Sequence, residues 1–330
     1  MRVRPWLALV LVVAGAGAVE AWRLVTPASP RREPLTVEIP ANQGAIAIAG
    51  HLAGAGVVTS APEFLLLSAV RGSVRRLHAG EYEIAPQATT VDVLALVESG
   101  RVKQHVVLHP EGATLAELAR VLEASGLARA ADVIAAGRDP LFLRAAGVDA
   151  PSVEGYLFPD TYLFVRGMSP PQMLGRMVHR LETRLGPEIM ARARQRGLSL
   201  RQLLTLASIV EREAVGRDER RLIAAVFWNR LERGMPLQAD PTVQYAVGRE
   251  RRTLTRVDLE ADSPYNTYRY SGLPPGPIAS PGLDAIEATL DPAAVGYLYF
   301  VAVDDHRHHF STTLEEHRRA VARYRASRPR

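Results

Sequence analysis

SLRQLLTLASIVEREAV, Ser199 to Val215, reads as one helix whose apolar face ends in two carboxylates. Ser199 and Gln202 are spaced as a capping box, each side chain satisfying a backbone N–H of the other, and this fixes where the helix starts. With Leu200 at the origin and about 100° per residue, Leu203, Leu204, Leu206, Ala207, Ile209 and Val210 fill an arc from roughly 180° through 300° to 40°. Arg201, Thr205, Ser208 and Arg212 fall in the opposite sector. Glu211 lands near about 20° and Glu213 near about 220°, at the two sides of the apolar arc, so both carboxylates point toward the protein. An unpaired buried carboxylate raises its pKa to stay neutral, which is what a general acid needs at neutral pH. The competing reading is an ion pair between each glutamate and an arginine of the next helix, Arg220, Arg221 or Arg230.

Working outward, the chain from Pro151 alternates long helical patterns with Pro/Gly/Tyr loops. Helices are predicted over PPQMLGRMVHRLETRLG, DERRLIAAVFWNRLERG and a terminal TLEEHRRAVARYRAS, with a loop-rich stretch before the last of them; long structureless stretches inside a domain are usually functional. Upstream, two segments resemble each other: GAIAIAGHLAGAGVV (Gly44 to Val58) and GATLAELARVLEASGL (Gly112 to Leu127). Each has a glycine start, a short amphipathic helix and a glycine stop. With the strand-like LTVEI, HAGEYEI and KQHVVLHPEG around them, the simplest account is two small βα units in tandem. The expected division is 1–25 as an anchor or signal segment, 26–36 as a Pro-rich linker, 37–150 as an α/β region and 151–330 as a mainly helical domain, giving an α+β fold.

At 330 residues, 47% hydrophobic and 23% charged, the chain is long enough for two cores. A net charge of +5 suits an anionic partner: nucleic acid, a lipid surface or an acidic wall polymer. The absence of cysteine excludes a disulfide framework, a thiolate nucleophile and a cysteine zinc site. At the N-terminus, Arg2 and Arg4 precede an apolar stretch from Trp6 to Val19, with Trp22 beyond it. This is an export or membrane signal. Ala16-Gly17-Ala18 suits a signal-peptidase site, while Glu20, Arg23 and the flanking tryptophans suit an uncleaved single-pass anchor. Either reading places the chain outside the cytoplasm and argues against nucleic acid as partner.

Two loops carry further chemistry. MPLQADPTVQYA (Met235 to Ala246) and SPYNTYRYSGLPPGPIASPG (Ser263 to Gly282) gather Tyr265, Tyr268 and Tyr270 beside Asn266 and Thr267, followed by a rigid proline-rich run. Aromatic faces stack on sugar rings while amides and carboxylates bond hydroxyls, so this composition suits a carbohydrate groove; the plainer alternative is tyrosines plugging the core. DDHRHHF (Asp304 to Phe310) is read as a turn rather than a metal site, and no cofactor motif stands out.

The pieces EGYLFPDTY, LASIVEREA, VFWNRLERGMPLQADPTVQYA, YNTYRYSGLPPGPIASPG, YLYFVA and HHFSTTLEEH resemble, in order and spacing, the MltG (YceG-like) family of endolytic murein transglycosylases. The resemblance covers most of 151–318. It implies one membrane helix, a LysM-like α/β region over 37–150 and a catalytic domain over 151–330 on the extracytoplasmic side of the cytoplasmic membrane. It also implies cleavage of the β-1,4 bond between N-acetylmuramic acid and N-acetylglucosamine in nascent strands, leaving 1,6-anhydro ends, without metal or cofactor. Peptidoglycan strands are the implied partner, with the membrane and peptidoglycan synthases beside them. It places the catalytic glutamate on the first carboxylate of the S-I-V-E motif, Glu211, acting as acid and then base. Gln238, Asp240, Tyr265, Asn266, Thr267 and Tyr268 are the expected substrate-side residues, and Glu213 is expected to orient the loops. Two other readings stay open: a peptidoglycan-binding scaffold, and a hydrolytic muramidase using Asp240 or Glu213 to activate water.

Overall fold

The computed structural model describes residues 5–28, 31–214, 216–248, 252–304 and 307–327. The chain divides into two compact units, one of Met1–His105 with Leu163–Gly167, the other of Val106–Tyr162 with Met168–Arg330. The change of texture at Pro151 therefore marks where helices lengthen, while the packing divides earlier, inside a strand.

The first unit holds α1 (Pro5–Leu24), β1 (Leu35–Ile39), α2 (Ala45–Gly54), α3 (Ala61–Val70), β2 (Gly80–Ile84) and α4 (Thr90–Ser99). β1 and β2 pair antiparallel, Val37 opposite Tyr82. Alternation along β1 sends Val37 and Ile39 inward and Thr36 and Glu38 to solvent, as a half-buried strand requires. Ile48, Leu52, Phe64, Val93, Leu94 and Val97 complete this core. α4 starts in a capping box of Thr89 and Asp92. Buried Glu81 is held by His105 at 2.5 Å and by Arg166 at 3.4 Å; these contacts pull its pKa below the usual carboxylate value although burial opposes them. The stretch expected to span a membrane forms the 20-residue helix α1, but among the described residues no helix is long and apolar enough to cross one.

Next come β3 (Gln104–His109), α5 (Leu115–Ala124), α6 (Ala130–Ala136), α7 (Pro140–Ala145), β4 (Asp160–Val165), α8 (Pro170–Gln195), α9 (Leu200–Glu213), α10 (Arg220–Glu232), α11 (Asp240–Ala246), α12 (Arg256–Leu259), α13 (Leu283–Leu290), β5 (Tyr299–Ala302), β6 (His308–Ser311) and α14 (Leu314–Ser327). β3 pairs with β4 and β5 with β6. The two similar helices, α2 and α5, each follow a strand, β1 and β3, and these strands belong to different sheets. α8 is two helices joined at Gly186, whose φ of 58° and the following Pro187 break the ladder.

α9 is the centre of the second unit, packed on α10 and α13. Ser199 and Gln202 form the expected capping box. Every residue from Leu203 to Val210 is buried, including Thr205 and Ser208, which the helical wheel places on a polar face. The cause is the proline-rich loop after Tyr270. It lies over that face, where the Ser208 hydroxyl accepts the Ile278 N–H at 3.1 Å and donates to the Thr205 carbonyl at 2.8 Å. Leu206, Ile209 and Val210 meet Ile223, Phe227, Leu237, Ile278 and Ala285 in one core.

Candidate active site

α9 leaves this core only in its last turn, where Glu211, Arg212 and Glu213 are half-buried. The two glutamates then meet different environments. Glu211 is sequestered: its side chain is 6% exposed and lies 2.9 Å from the Arg220 guanidinium, while its other oxygen accepts the Gly282 N–H at 3.0 Å. Arg220 is also within 3.5 Å of Glu111 and 3.6 Å of Asp284. A Cβ at Gly282 would stand 2.0 Å from Glu111 Oε1, so any larger residue there would push the Glu111 side chain aside. The ion-pair reading thus describes Glu211, through the first of the three arginines considered for it.

Glu213 faces a groove instead. Burial, followed by the charge of Asp240, pushes its pKa up to about 8. The backbone N–H of Asp240 and the charges of Arg230 and Arg212 oppose the rise without cancelling it. A carboxyl in that state keeps its proton at neutral pH and can release it to a basic leaving atom. Asp240 accepts a 2.6 Å hydrogen bond from the Tyr268 hydroxyl. Burial and that bond raise the phenol's pKa, with the nearby Asp240 and Glu213 charges adding to it.

Glu213, Asp240 and Tyr268 are shared by two adjoining cavities, of about 760 Å³ and 430 Å³. The larger continues past Glu111, Arg212 and Gln244; the smaller is bounded by Gln238, Arg230 and His308. Cavities open on both sides of one acid suit a chain that runs through rather than ends at the site.

Two loops hold this trio. The Gln238 N–H donates to the Thr267 carbonyl at 3.0 Å and the Ala239 N–H to the Thr267 hydroxyl at 3.0 Å. Gln238 sits at φ 50°, a strained state for a residue other than glycine that the surrounding bonds must enforce. Asn266 is fully buried; its amide donates to the carbonyls of Leu259 and Ala261 and its oxygen accepts the Tyr268 N–H.

The expected substrate-side residues therefore separate. Gln238, Asp240 and Tyr268 line the groove. Asn266 and Thr267, 0% and 1% exposed, brace it from within. Tyr265 stands elsewhere, against Tyr245 at 5.0 Å, in a third cavity with buried Glu154. Sequence reasoning missed Arg230 as a groove residue, because its guanidinium is committed to the carbonyls of Leu298 and Leu237, contacts between segments far apart in the chain. It also missed His308 and His317. Of the DDHRHHF stretch, 305 and 306 lie outside the described residues; among the described residues no cluster of histidine and carboxylate groups could hold a metal.

The model of the YceG-like family matches residues 37–323. An endolytic murein transglycosylase of Bacillus subtilis is 31% identical, over 96% of this chain and 92% of its own length. One of Streptococcus pneumoniae is 31% identical, over 88% of this chain and 58% of its own length. A crystal structure of a YceG-like protein from Listeria monocytogenes superposes with a TM-score of 0.61 at 36% identity, covering 87% of this chain and 99% of that one. On fold, on sequence and across most of its length, the chain belongs to the YceG-like family.

Proposed function

We propose that this protein is an endolytic murein transglycosylase in which Glu213 is the general acid and base. The observation that carries the assignment is a proton-bearing carboxyl, its pKa pushed up to about 8, where two cavities meet. Neutral Glu213 protonates the glycosidic oxygen between N-acetylmuramic acid and N-acetylglucosamine. The resulting carboxylate takes the proton of the muramyl C6 hydroxyl as that oxygen attacks C1. The C1–O4 bond breaks, a C1–O6 bond forms, and the products are a 1,6-anhydro-muramyl end and a free 4-hydroxyl. An intramolecular nucleophile dispenses with the second carboxylate that hydrolases place across the bond. Asp240 then serves to hold the Glu213 proton and, through Tyr268, to shape the groove.

Glu211 takes the other role, binding Arg220 and the Gly282 N–H. This departs from the expectation that the first carboxylate of S-I-V-E is the acid: a carboxylate held against an arginine and 6% exposed is closed off from a glycan. The test is mass spectrometry of muropeptides from uncross-linked peptidoglycan treated with the wild type, Glu213→Gln and Glu211→Gln. Anhydro ends that vanish only with Glu213→Gln support the assignment. Loss with Glu211→Gln in a folded protein returns the acid to Glu211, and reducing ends in place of anhydro ends make the protein a muramidase.

We also infer that α1 anchors the chain in the cytoplasmic membrane with the catalytic unit outside, where nascent strands and their synthases are met. Trp6, Leu9, Val10, Val13, Val19 and Trp22 of α1 are all more than half exposed, an apolar surface that lipid would cover. Membrane fractionation with and without residues 1–25, followed by protease treatment of intact cells, checks both anchoring and side.

A further inference from the structure

The smaller of the two cavities is walled on its far side by a histidine pair that the acid chemistry does not use. His308 begins β6 and His317 lies on α14, and both line the cavity with Glu213, Asp240 and Phe300. Glu219, just before α10, holds His308 twice: it accepts the backbone N–H at 2.7 Å and Nδ1 at 2.7 Å. A carboxylate only accepts, so Nδ1 carries the proton and Nε2 is the ring atom left to face a ligand. The Phe300 ring meets this imidazole edge-on at 5.3 Å and fixes its plane.

His317 is fixed differently. It stacks on Tyr299 at 5.3 Å and 23°, and the Arg230 guanidinium lies 5.3 Å from the same ring. Among the described residues its Nδ1 is buried without a hydrogen-bond partner, a condition that calls for an explanation. Burial, with Arg230 and His309 nearby, depresses its pKa, which keeps the ring uncharged at neutral pH. The remaining charges of the cavity are unsuited to an anion. Glu213 and Asp240 are acids, and Arg230 is occupied by the carbonyls of Leu298, Pro236 and Leu237.

We propose that this cavity is the subsite for the uncharged N-acetylglucosamine ring beside the scissile bond, with His308 Nε2 and His317 Nδ1 hydrogen-bonding its N-acetyl and hydroxyl groups and Glu219 orienting His308. Of the two sugars in murein, only N-acetylglucosamine lacks an acidic substituent, which matches a cavity lined by the carboxyl groups of Glu213 and Asp240. The aromatic edge of Phe300 offers the acetyl methyl an apolar contact. The proposal rests on glycan cleavage at Glu213 and adds where one of the two rings sits.

The test uses full-length Glu213→Gln carrying ¹⁵N-histidine, titrated with the N-acetylglucosamine tetramer while imidazole nitrogens are followed by NMR. The His308 and His317 signals, identified by single substitution, are expected to move together with the saturation curve. His308→Asn keeps an amide at the Nδ1 position for Glu219 but has nothing at Nε2; it should bind the tetramer about tenfold more weakly at an unchanged melting temperature. In the active enzyme the same substitution should raise KM more than it lowers kcat. Unmoved histidine signals at saturation, or wild-type affinity in His308→Asn, would overturn the subsite. Absence of binding would overturn it as well. Because anhydro-end formation is read separately on peptidoglycan, histidine shifts without cleavage would sink the transglycosylase reading alone, and cleavage without shifts the subsite alone.

Discussion

The guanidinium of Arg220 lies 2.9 Å from the Glu211 carboxylate, and on the proposed reading that contact divides the work of two glutamates two residues apart. Arg220 is itself buried, so removing the Glu211 charge leaves a cation whose ion pairs among the described residues are the longer contacts to Glu111 and Asp284. Glu211→Gln is expected to cost about 1–3 kcal/mol of stability and to retain activity per folded molecule. Glu213→Gln should fold normally and lose about 10²–10⁴-fold in kcat. Denaturant titrations beside product assays separate the two, and equal losses of activity at equal stability would refute the division.

The raised pKa of Glu213 sets the pH behaviour. As the proposed acid, Glu213 is competent while protonated, so kcat/KM should fall above a pH of about 8, tenfold per unit. Stability moves in the same direction. The folded state binds a proton that the unfolded state has released above its ordinary value of 4.5, so this group's contribution is fully present below 4.5. It declines as pH rises toward 8, by at most about 1.4 kcal/mol per unit. Glu213→Gln should abolish that decline and be the more stable protein at alkaline pH, which thermal melts across the range would check.

Asp240 can be tested through the same limb. Its negative charge is the second cause of the Glu213 rise after burial. Asp240→Asn should therefore lower that pKa and draw the alkaline limb of the rate profile down by on the order of one pH unit. A limb that stays in place would mean that Asp240 acts on the substrate instead.

How much of this was legible in the sequence follows from the range of the interactions. The capping box of Ser199, the strand LTVEI, the first half of α8 and the helices α9, α10 and α14 are local patterns, and they stand where periodicity put them, whereas α11, α12 and α13 fall in the stretch read as loop. The inward aim of both glutamates was legible too. What distinguishes them was not, because the Arg220 pair, the Gly282 N–H and the Asp240 charge reach α9 from three other segments. Asn266 and Thr267 were chosen for amide and hydroxyl groups that suit sugars, yet the same groups suit carbonyls and backbone N–H donors, and burial decides in favour of the latter. β5 and β6 went unseen because each spans only four residues, and with them went the histidine wall.

Thr267 offers the last test, since it is where the two groove loops are tied. Its hydroxyl accepts the Ala239 N–H at 3.0 Å and meets the Thr242 hydroxyl at 2.8 Å. The Thr242 proton is spent on the Ala239 carbonyl at 2.7 Å, so Thr267 is the donor in that contact. Thr267→Val keeps the volume but strands a buried N–H beside Asp240, at a cost of about 1–3 kcal/mol. Because Ala239 precedes Asp240 and Thr267 precedes Tyr268, the 2.6 Å bond between Tyr268 and Asp240 should loosen as well. The expected outcome is a lower melting temperature with a several-fold fall in kcat, and recovery of both in Thr267→Ser, which retains the hydroxyl. A valine variant that melts and turns over like the wild type would show that the groove does not depend on this tie.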